Sequence, residues 1–390
     1  MANFDVSIME KKKLNILFIT NEYPTITKNH FYYGGQASYI KNITDLLSKK
    51  KNIKITIWIL SNRIFSYSKK NIIIKEIGIN LSILGNFGRV INNLLISIYV
   101  FFLKKNKFDI VQYPSFFPIG IFIFFPKKIL KVCRISGITS LWRKTNGNKQ
   151  NLLHKLSDFF EKKRIFNSDK VFSPSKLISK FIYKNFKKKI SVLPSPINKN
   201  LKINKKKINI TNFLLFVGSI NKVKGFDILE IAIQKIFKKN KLLNLVIIGS
   251  NKYNLLQNTE ENYKKIKNRI FYLGPVKKNL LYNFYKKALA VVIPSRVDNY
   301  SNVMLEALYF KKIIIAFKNS SIDEIIKNKI HGFIAKKKNY ISLISSIEQY
   351  LKQNKFQKKI MNTNISRLLN KLQNIDYAEE LITFYQQVKR

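Results

Sequence analysis

Phe213-Leu214-Leu215-Phe216-Val217-Gly218-Ser219-Ile220-Asn221-Lys222-Val223-Lys224-Gly225 is the stretch on which the fold turns. Its first five residues form a short, unbroken apolar run, as expected of a strand buried on both faces of a parallel sheet. Gly218 ends the run, a loop with two lysines follows, and Gly225 opens a helix predicted over 225–237. Strand, glycine turn and helix make up the repeating unit of a doubly wound α/β sheet. Downstream the unit recurs, with strands predicted at 243–248, 270–273, 290–293 and 313–316 and helices at 279–288 and 303–310. Upstream, strands are predicted at 14–20, 53–60, 72–77, 108–113, 131–135, 170–173 and 190–193. The upstream helices are predicted at 34–48, 84–103, 152–166 and 176–185. Residues 193–207, with Pro194, Pro196 and a lysine run, read as a linker, and 340–390 read as helices only. The expectation is an α/β chain of two doubly wound Rossmann-like domains, 1–200 and 208–372, facing across a cleft. A last helix, 373–390, is expected to pack back on the first domain.

At 390 residues the chain has room for two domains of roughly 150 residues or more. Apolar residues at 46% and charged residues at 24% are ordinary for a protein with a packed core, which excludes wholesale disorder and fibrous repeats. The sign of the charge is not ordinary: 72 Lys+Arg against 21 Asp+Glu leave a formal charge of +51. Such a charge repels itself, and nucleic acid, anionic lipid headgroups or phosphorylated metabolites would relieve it. The chain is also uniformly rich in Lys, Ile and Asn, which accounts for the total without any function, so a functional reading must rest on particular lysines. Cys133, the single cysteine, excludes an internal disulfide and a multi-cysteine metal site. Residues 1–13 are polar and then basic, without signal-peptide form, and the most apolar stretches, 94–103 and 116–126, fall short of a membrane span. The expected location is the cytoplasm, with peripheral attachment at the inner face of the membrane.

Three places carry candidate chemistry. Gly34-Gly35 precedes a helix, where backbone N–H groups can meet an anion; a plain loop-to-helix turn explains the pair equally well. The loop from Gly218 to Gly225 places Lys222 and Lys224 at a strand's carboxyl end, where a preorganised cation would neutralise a departing diphosphate; its rival reading is a solvated lysine pair. The third is Val292-Ile293-Pro294-Ser295-Arg296-Val297-Asp298-Asn299-Tyr300-Ser301-Asn302-Val303-Met304-Leu305-Glu306-Ala307-Leu308. Asp298 falls in the loop after a strand and Glu306 on the next helix, both suited to accept hydrogen bonds from sugar hydroxyls. Ser301, Asn302 and Val303 offer amides at that helix's start. Glu306 stands among Met304, Leu305, Ala307 and Leu308, so it requires a partner, whether a ligand or a salt bridge.

These motifs, in this order, resemble glycosyltransferase family 4, whose fold is called GT-B. The family's donor signature is an acidic residue, seven others and Glu-Ala after a Pro-Ser, matched by Pro294-Ser295, Asp298 and Glu306-Ala307. Gly218 through Lys224-Gly225 matches its phosphate loop, and Ser320-Ser321-Ile322-Asp323-Glu324-Ile325-Ile326 with His331-Gly332-Phe333 the segment after the following strand. In the first half, Gly34-Gly35, Phe172-Ser173-Pro174-Ser175 and Leu193-Pro194-Ser195-Pro196 fall where the family has similar pieces.

The resemblance implies a retaining hexosyltransferase that moves a sugar from a nucleotide-diphosphate sugar to an acceptor hydroxyl. Lys224 would neutralise the diphosphate, Glu306 would hold the ribose and Asp298 the donor sugar. Gly34, Gly35, Gly218, Ser219, Lys222, Pro275, Val276, Tyr300, Ser301, Asn302 and Val303 would complete the donor site, with Arg134 and Ser136 on the acceptor side. The leaving phosphate oxygen would itself take the acceptor proton. No Asp-x-Asp occurs, in keeping with a site that uses neither metal nor cofactor. The chain departs from the family at three points: Asp298 replaces the commoner Glu, Ser219 the commoner Arg, and Arg134-Ile135-Ser136-Gly137 a segment that in many members contains His. The implied acceptor is a glycan or lipid-linked precursor of cell-surface polysaccharide, lipopolysaccharide or capsule at an anionic membrane. The lysine runs 11–13, 49–51, 104–105 and 187–189 all lie in the first half. Two other classes are weighed: a nucleic-acid-binding protein, which lacks any helix-turn-helix, zinc or RNA-recognition signature, and a nucleotide-sugar epimerase on the same scaffold.

Overall fold

The computed structural model describes residues 13–24, 34–61, 63–69, 71–78, 91, 108–116, 128–199, 201–204, 206–251 and 267–387. The helix predicted at 84–103, apart from residue 91, most of the apolar stretch 116–126, the lysines 11–12 and 104–105 and His30 lie outside the described residues. The chain divides into two compact units. The first holds residues 1–141, 149–196 and 376–390, the second Trp142–Asn148 and Ile197–Ile375.

The first unit is built on an eight-stranded sheet in the order β3-β4-β2-β1-β5-β6-β7-β8. Its strands are β1 (Leu14–Thr20), β2 (Ile53–Leu60), β3 (Phe65–Lys69), β4 (Ile72–Ile77), β5 (Ile110–Pro114), β6 (Leu130–Arg134), β7 (Lys170–Ser173) and β8 (Ser191–Val192). The central β1 pairs in parallel with β2 over seven residues and with β5 on its other side. Its last five residues and all of β5 are buried, so neither strand shows polar alternation. The sheet is not wholly parallel: β3 runs antiparallel along the edge of β4. Among the described residues of this unit, helices α1 (Gly35–Leu47), α3 (Leu152–Asn167) and α4 (Lys176–Phe186) lie between the strands, and α2 (Thr139–Asn146), between β6 and α3 in the chain, groups for the most part with the second unit.

The second unit has six parallel strands in the order β11-β10-β9-β12-β13-β14. They are β9 (Phe213–Val217), β10 (Asn244–Ile248), β11 (Ile270–Tyr272), β12 (Ala290–Ile293), β13 (Ile313–Phe317) and β14 (Gly332–Ala335). Around them lie α5 (Phe226–Lys239), α6 (Lys278–Lys287), α7 (Asn302–Tyr309), α8 (Tyr340–Leu351) and α9 (Lys355–Gln373). Counted within the unit, the strand order is 3-2-1-4-5-6, the Rossmann order, in which the chain reverses direction between β9 and β12. The first unit repeats that order through β4-β2-β1-β5-β6-β7, with β3 and β8 added at its edges.

One core fills the second unit, with Phe213, Phe216, Phe226, Phe237 and Phe317 all buried in it. A last helix, α10 (Tyr377–Gln386), belongs to the first unit and packs on α1. Lys50 bridges to Asp376 at 3.0 Å and Glu379 at 2.9 Å, and the buried Tyr385 hydroxyl donates to Gln112 at 2.6 Å. Among the described residues no helix is long and apolar enough to cross a membrane.

Candidate functional site

In open α/β sheets ligands bind beyond the strands' carboxyl ends where the strand order reverses. In the second unit that point lies between β9 and β12, and the loops leaving them are the lysine loop and the acidic loop. Gly225 makes their approach possible. It adopts φ +68°, and a Cβ there would stand 1.8 Å from the Pro294 carbonyl oxygen, so only glycine fits. The Arg296 N–H then donates to the Val223 carbonyl at 2.8 Å, and the Arg296 guanidinium grips Asp227 through two bonds of 2.6 and 2.7 Å while also reaching the Lys222 carbonyl. Lys338 donates to the carbonyls of Arg296 and Asn319. Arg296 therefore fixes the acidic loop against the lysine loop and the start of the helix after it, while Lys338 ties the acidic loop to the segment after β13. Charge type gave no sign of this, since nothing local sets Arg296, Asp227 or Lys338 apart from the chain's other charged residues.

Held this way, Lys224 Nζ meets Asp298 Oδ2 at 2.7 Å. Ser295 Oγ donates to the same oxygen at 3.3 Å, and the Asn299 N–H donates to Oδ1 at 3.0 Å. The Asp298 N–H donates to the Ser320 carbonyl at 3.1 Å, and the Lys224 N–H to the Asn221 side chain at 2.8 Å. An ammonium and a carboxylate are thus preset side by side at the sheet's switch point, both half-buried. Lys222 is exposed in the same loop, and Ser219 Oγ accepts from Ser250 at 3.2 Å.

Glu306 projects from the middle of α7, whose start is capped by Ser301: its hydroxyl accepts from the Met304 N–H at 3.4 Å. Asn302 and Val303 form the first turn, where helix amides lack intrahelical partners. Only 14% of the Glu306 side chain is exposed, with Lys278 of α6 at 3.7 Å. Burial raises its carboxyl pKa, while the Lys278 ammonium and the Tyr285 phenol pull it back down. Pro275 and Val276 lie in the loop between β11 and α6, and Tyr300 is packed against the core just before α7.

In the first unit Gly34 and Gly35 stand at the start of α1, and the Gly34 N–H donates to Glu22 Oε2 at 3.1 Å. An anion does occupy that helix start, but it is the chain's own carboxylate. Arg134, at the end of β6, is buried and stacks 3.7 Å from the Tyr39 ring centre. It donates to Ser136 and, at 3.0 Å, to Ser195; Ser136 donates to Gln36 at 3.1 Å. Its Nε has no hydrogen-bond partner, no carboxylate pairs with it among the described residues, and burial lowers its pKa to about 10. Of the other two histidines, His154 helps cap α3 and His331 Nδ1 accepts from the Lys327 N–H.

Residues 198–367 match the sequence profile of the family described as glycosyl transferases group 1. An uncharacterized glycosyltransferase of Methanocaldococcus jannaschii is 29% identical over 210 residues, covering 52% of this chain and 55% of that protein. A second from the same organism is 27% identical over 172 residues, 44% of each. The chain thus spans about half the length of these archaeal relatives. Among solved structures, sucrose-phosphate synthase from Thermosynechococcus elongatus superposes with a TM-score of 0.76 at 14% identity, over 96% of this chain and 98% of that one. The trehalose-6-phosphate synthase OtsA gives 0.72 at 10% identity, over 96% and 99%. These likenesses fix the fold as GT-B, two Rossmann-like α/β domains, and residues 198–367 of the second unit are similar to the group 1 glycosyl transferases.

Proposed function

We propose that the chain transfers a hexosyl group, with retention, from a nucleotide-diphosphate sugar to an acceptor hydroxyl. The observation that carries this reading is the Lys224–Asp298 pair, 2.7 Å apart at the switch point of the second sheet. Asp298 accepts hydrogen bonds from the donor sugar while Lys224 turns toward the diphosphate, whose negative charge grows as the glycosidic bond breaks. A cation already in place stabilises that charge with little reorganisation. Glu306 accepts from the ribose hydroxyls, with the Lys278 ammonium offsetting part of the pull of burial on its carboxyl. The Asn302 and Val303 amides and the Gly218–Lys224 loop hold phosphate oxygens. The leaving oxygen, on the face the acceptor approaches, takes the acceptor proton, so neither a side-chain base nor a metal is required. Support for the ligand class comes from a structural neighbour, the Escherichia coli trehalose-6-phosphate protein bound with UDP-2-fluoro glucose, at a TM-score of 0.72.

The acceptor belongs to the first unit, where Arg134 and Ser136 contribute. Its class is a glycan or lipid-linked precursor of cell-surface polysaccharide, lipopolysaccharide or capsule, met at the inner face of an anionic membrane. The exposed Lys49, Lys51, Lys187 and Lys189, with the rest of the +51 charge, favour such a surface. A panel of nucleotide sugars screened for thermal stabilisation, followed by product analysis with and without acceptor, tests the reading. Stabilisation by one donor and a product of retained anomeric configuration support it; turnover of the donor without acceptor to an epimeric nucleotide sugar counts against it.

A further inference from the structure

α3 is turned inside out. Of its sixteen residues, those buried are Glu161, Arg164 and Ile165. The Glu161 carboxylate accepts from Ser115 Oγ at 3.1 Å and from the Thr139 N–H at 3.0 Å, and Arg164 donates to the Ser115 carbonyl. Most of its leucine and phenylalanine residues look outward: Leu152 is 81% exposed, Leu153 73%, Leu156 48% and Phe159 58%. At about 100° per residue, Leu152, Leu156, Phe159 and the exposed Phe166 fall within an arc of roughly 80°, opposite Glu161. Lys155, Lys162 and Lys163 are exposed within and beside that arc, and Lys188 lies 5.3 Å from the Phe166 ring centre. A water-facing helix has the reverse arrangement. Charged groups here satisfy their hydrogen bonds inside, while leucine and phenylalanine meet solvent.

We propose that the outward face of α3 docks on an anionic lipid bilayer. This deepens the membrane part of the function proposed above by naming the contacting face, and owes nothing to the transferase chemistry. Charge selects the occupant. A second copy would press the same lysines together on a chain of formal charge +51. An anionic bilayer satisfies both kinds of side chain at one depth: leucine and phenylalanine enter the acyl boundary while lysine stems reach back to the phosphates.

The test uses the full chain without donor or acceptor, co-sedimented with phosphatidylcholine vesicles alone or mixed with phosphatidylglycerol. The native chain is expected to bind the mixed vesicles and to be released by salt. Leu152→Ser, Leu156→Ser and Phe159→Ser together should lower partitioning at least tenfold with an unchanged thermal transition, because all three side chains lie on the exposed face. Replacing Lys155, Lys162 and Lys163 by Gln should weaken binding about fivefold for each charge removed. Leu153→Cys, labelled with an environment-sensitive dye, gives an independent reading, since the only other thiol, Cys133, is buried; its emission should shift to the blue on mixed vesicles. Native-like binding by the triple serine variant, or a label that stays in water, overturns the proposal. So does a native dimer in analytical ultracentrifugation that the serine variant dissolves. Turnover of a water-soluble acceptor by the serine variant should equal the native rate, and a chain that binds vesicles through α3 yet transfers no sugar would refute the transferase reading and leave this one standing.

Discussion

Replacing Lys224 by methionine separates the two roles the Lys224–Asp298 pair could have. Nζ and Oδ2 stand 2.7 Å apart, with 31% of the Lys224 side chain and 12% of the Asp298 side chain exposed. A pair open to water on one side contributes about 1 kcal/mol to stability, and Asp298 keeps its bonds from Ser295 and the Asn299 N–H when the lysine goes. Lys224→Met should therefore lower unfolding stability by about 1 kcal/mol and leave the fold intact. If the ammonium also faces the charge that develops on a departing diphosphate, its loss should remove about 3–4 kcal/mol from the transition state, or roughly 10²–10³ in kcat. Donor KM should change far less, because the interaction strengthens as the bond breaks. Lys224→Arg, which keeps the charge but not the point geometry, should recover part of the rate. The assay is initial-rate kinetics with the donor found by screening, beside urea unfolding of each variant. Loss of stability with kcat within fivefold of native would make the pair an ordinary ion pair and refute the argument.

Three further outcomes follow from particular contacts. Gly225→Ala should cost several kcal/mol in urea unfolding, since it combines a positive φ with a Cβ placed inside the Pro294 carbonyl; native-like stability would mean the loops do not meet as described. Glu230 has its pKa raised to about 7 by burial and by the neighbouring Asp227. The folded chain then retains a proton that the unfolded chain has released, so stability should fall as pH rises from the ordinary glutamate value to about 7. With solvent screening this amounts to about 1–2 kcal/mol, and Glu230→Gln should flatten that part of the pH–stability curve; an unchanged slope would place the effect elsewhere. Tyr39→Leu should cost about 2 kcal/mol by stripping the ring from the buried Arg134 guanidinium, whereas Tyr39→Phe, losing only a 3.4 Å bond from Gln112, should cost less than about 1 kcal/mol; equal losses would show that the hydroxyl matters and the ring does not.

How much of this was legible in the sequence depended on burial. Strands packed on both faces, such as β9, β12 and β13, announce themselves as apolar runs. β3 was missed because almost all of it is exposed: Phe65-Ser66-Tyr67-Ser68-Lys69 borrows its order from the edge of β4 and buries no face. α2 was missed for the same reason, having no buried residue, and most of it lies in the segment Trp142–Asn148 that groups with the second unit. β14 was hidden by its glycine start: Gly332 packs where a Cβ would stand 2.0 Å from the Ile314 carbonyl oxygen. At the candidate site, spacing located Asp298 and Glu306 on their loop and helix, and the glycine loop located Lys224. That Lys224 and Asp298 touch depends on β9 and β12 being neighbours across a reversal of strand order, a property of the whole sheet. Partners such as Lys278 for Glu306, or Arg296 for Asp227, are one charge chosen among many by packing, and no local pattern marks them.

Calorimetric titration of the native chain and of Glu306→Ala with a panel of nucleotide-diphosphate sugars and their free diphosphates tests the central claim most directly. One donor should bind the native chain, and Glu306→Ala should weaken it by at least about tenfold through the lost charge-assisted bond to the ribose. Absence of binding across the panel, or equal affinity in the two proteins, would contradict the account.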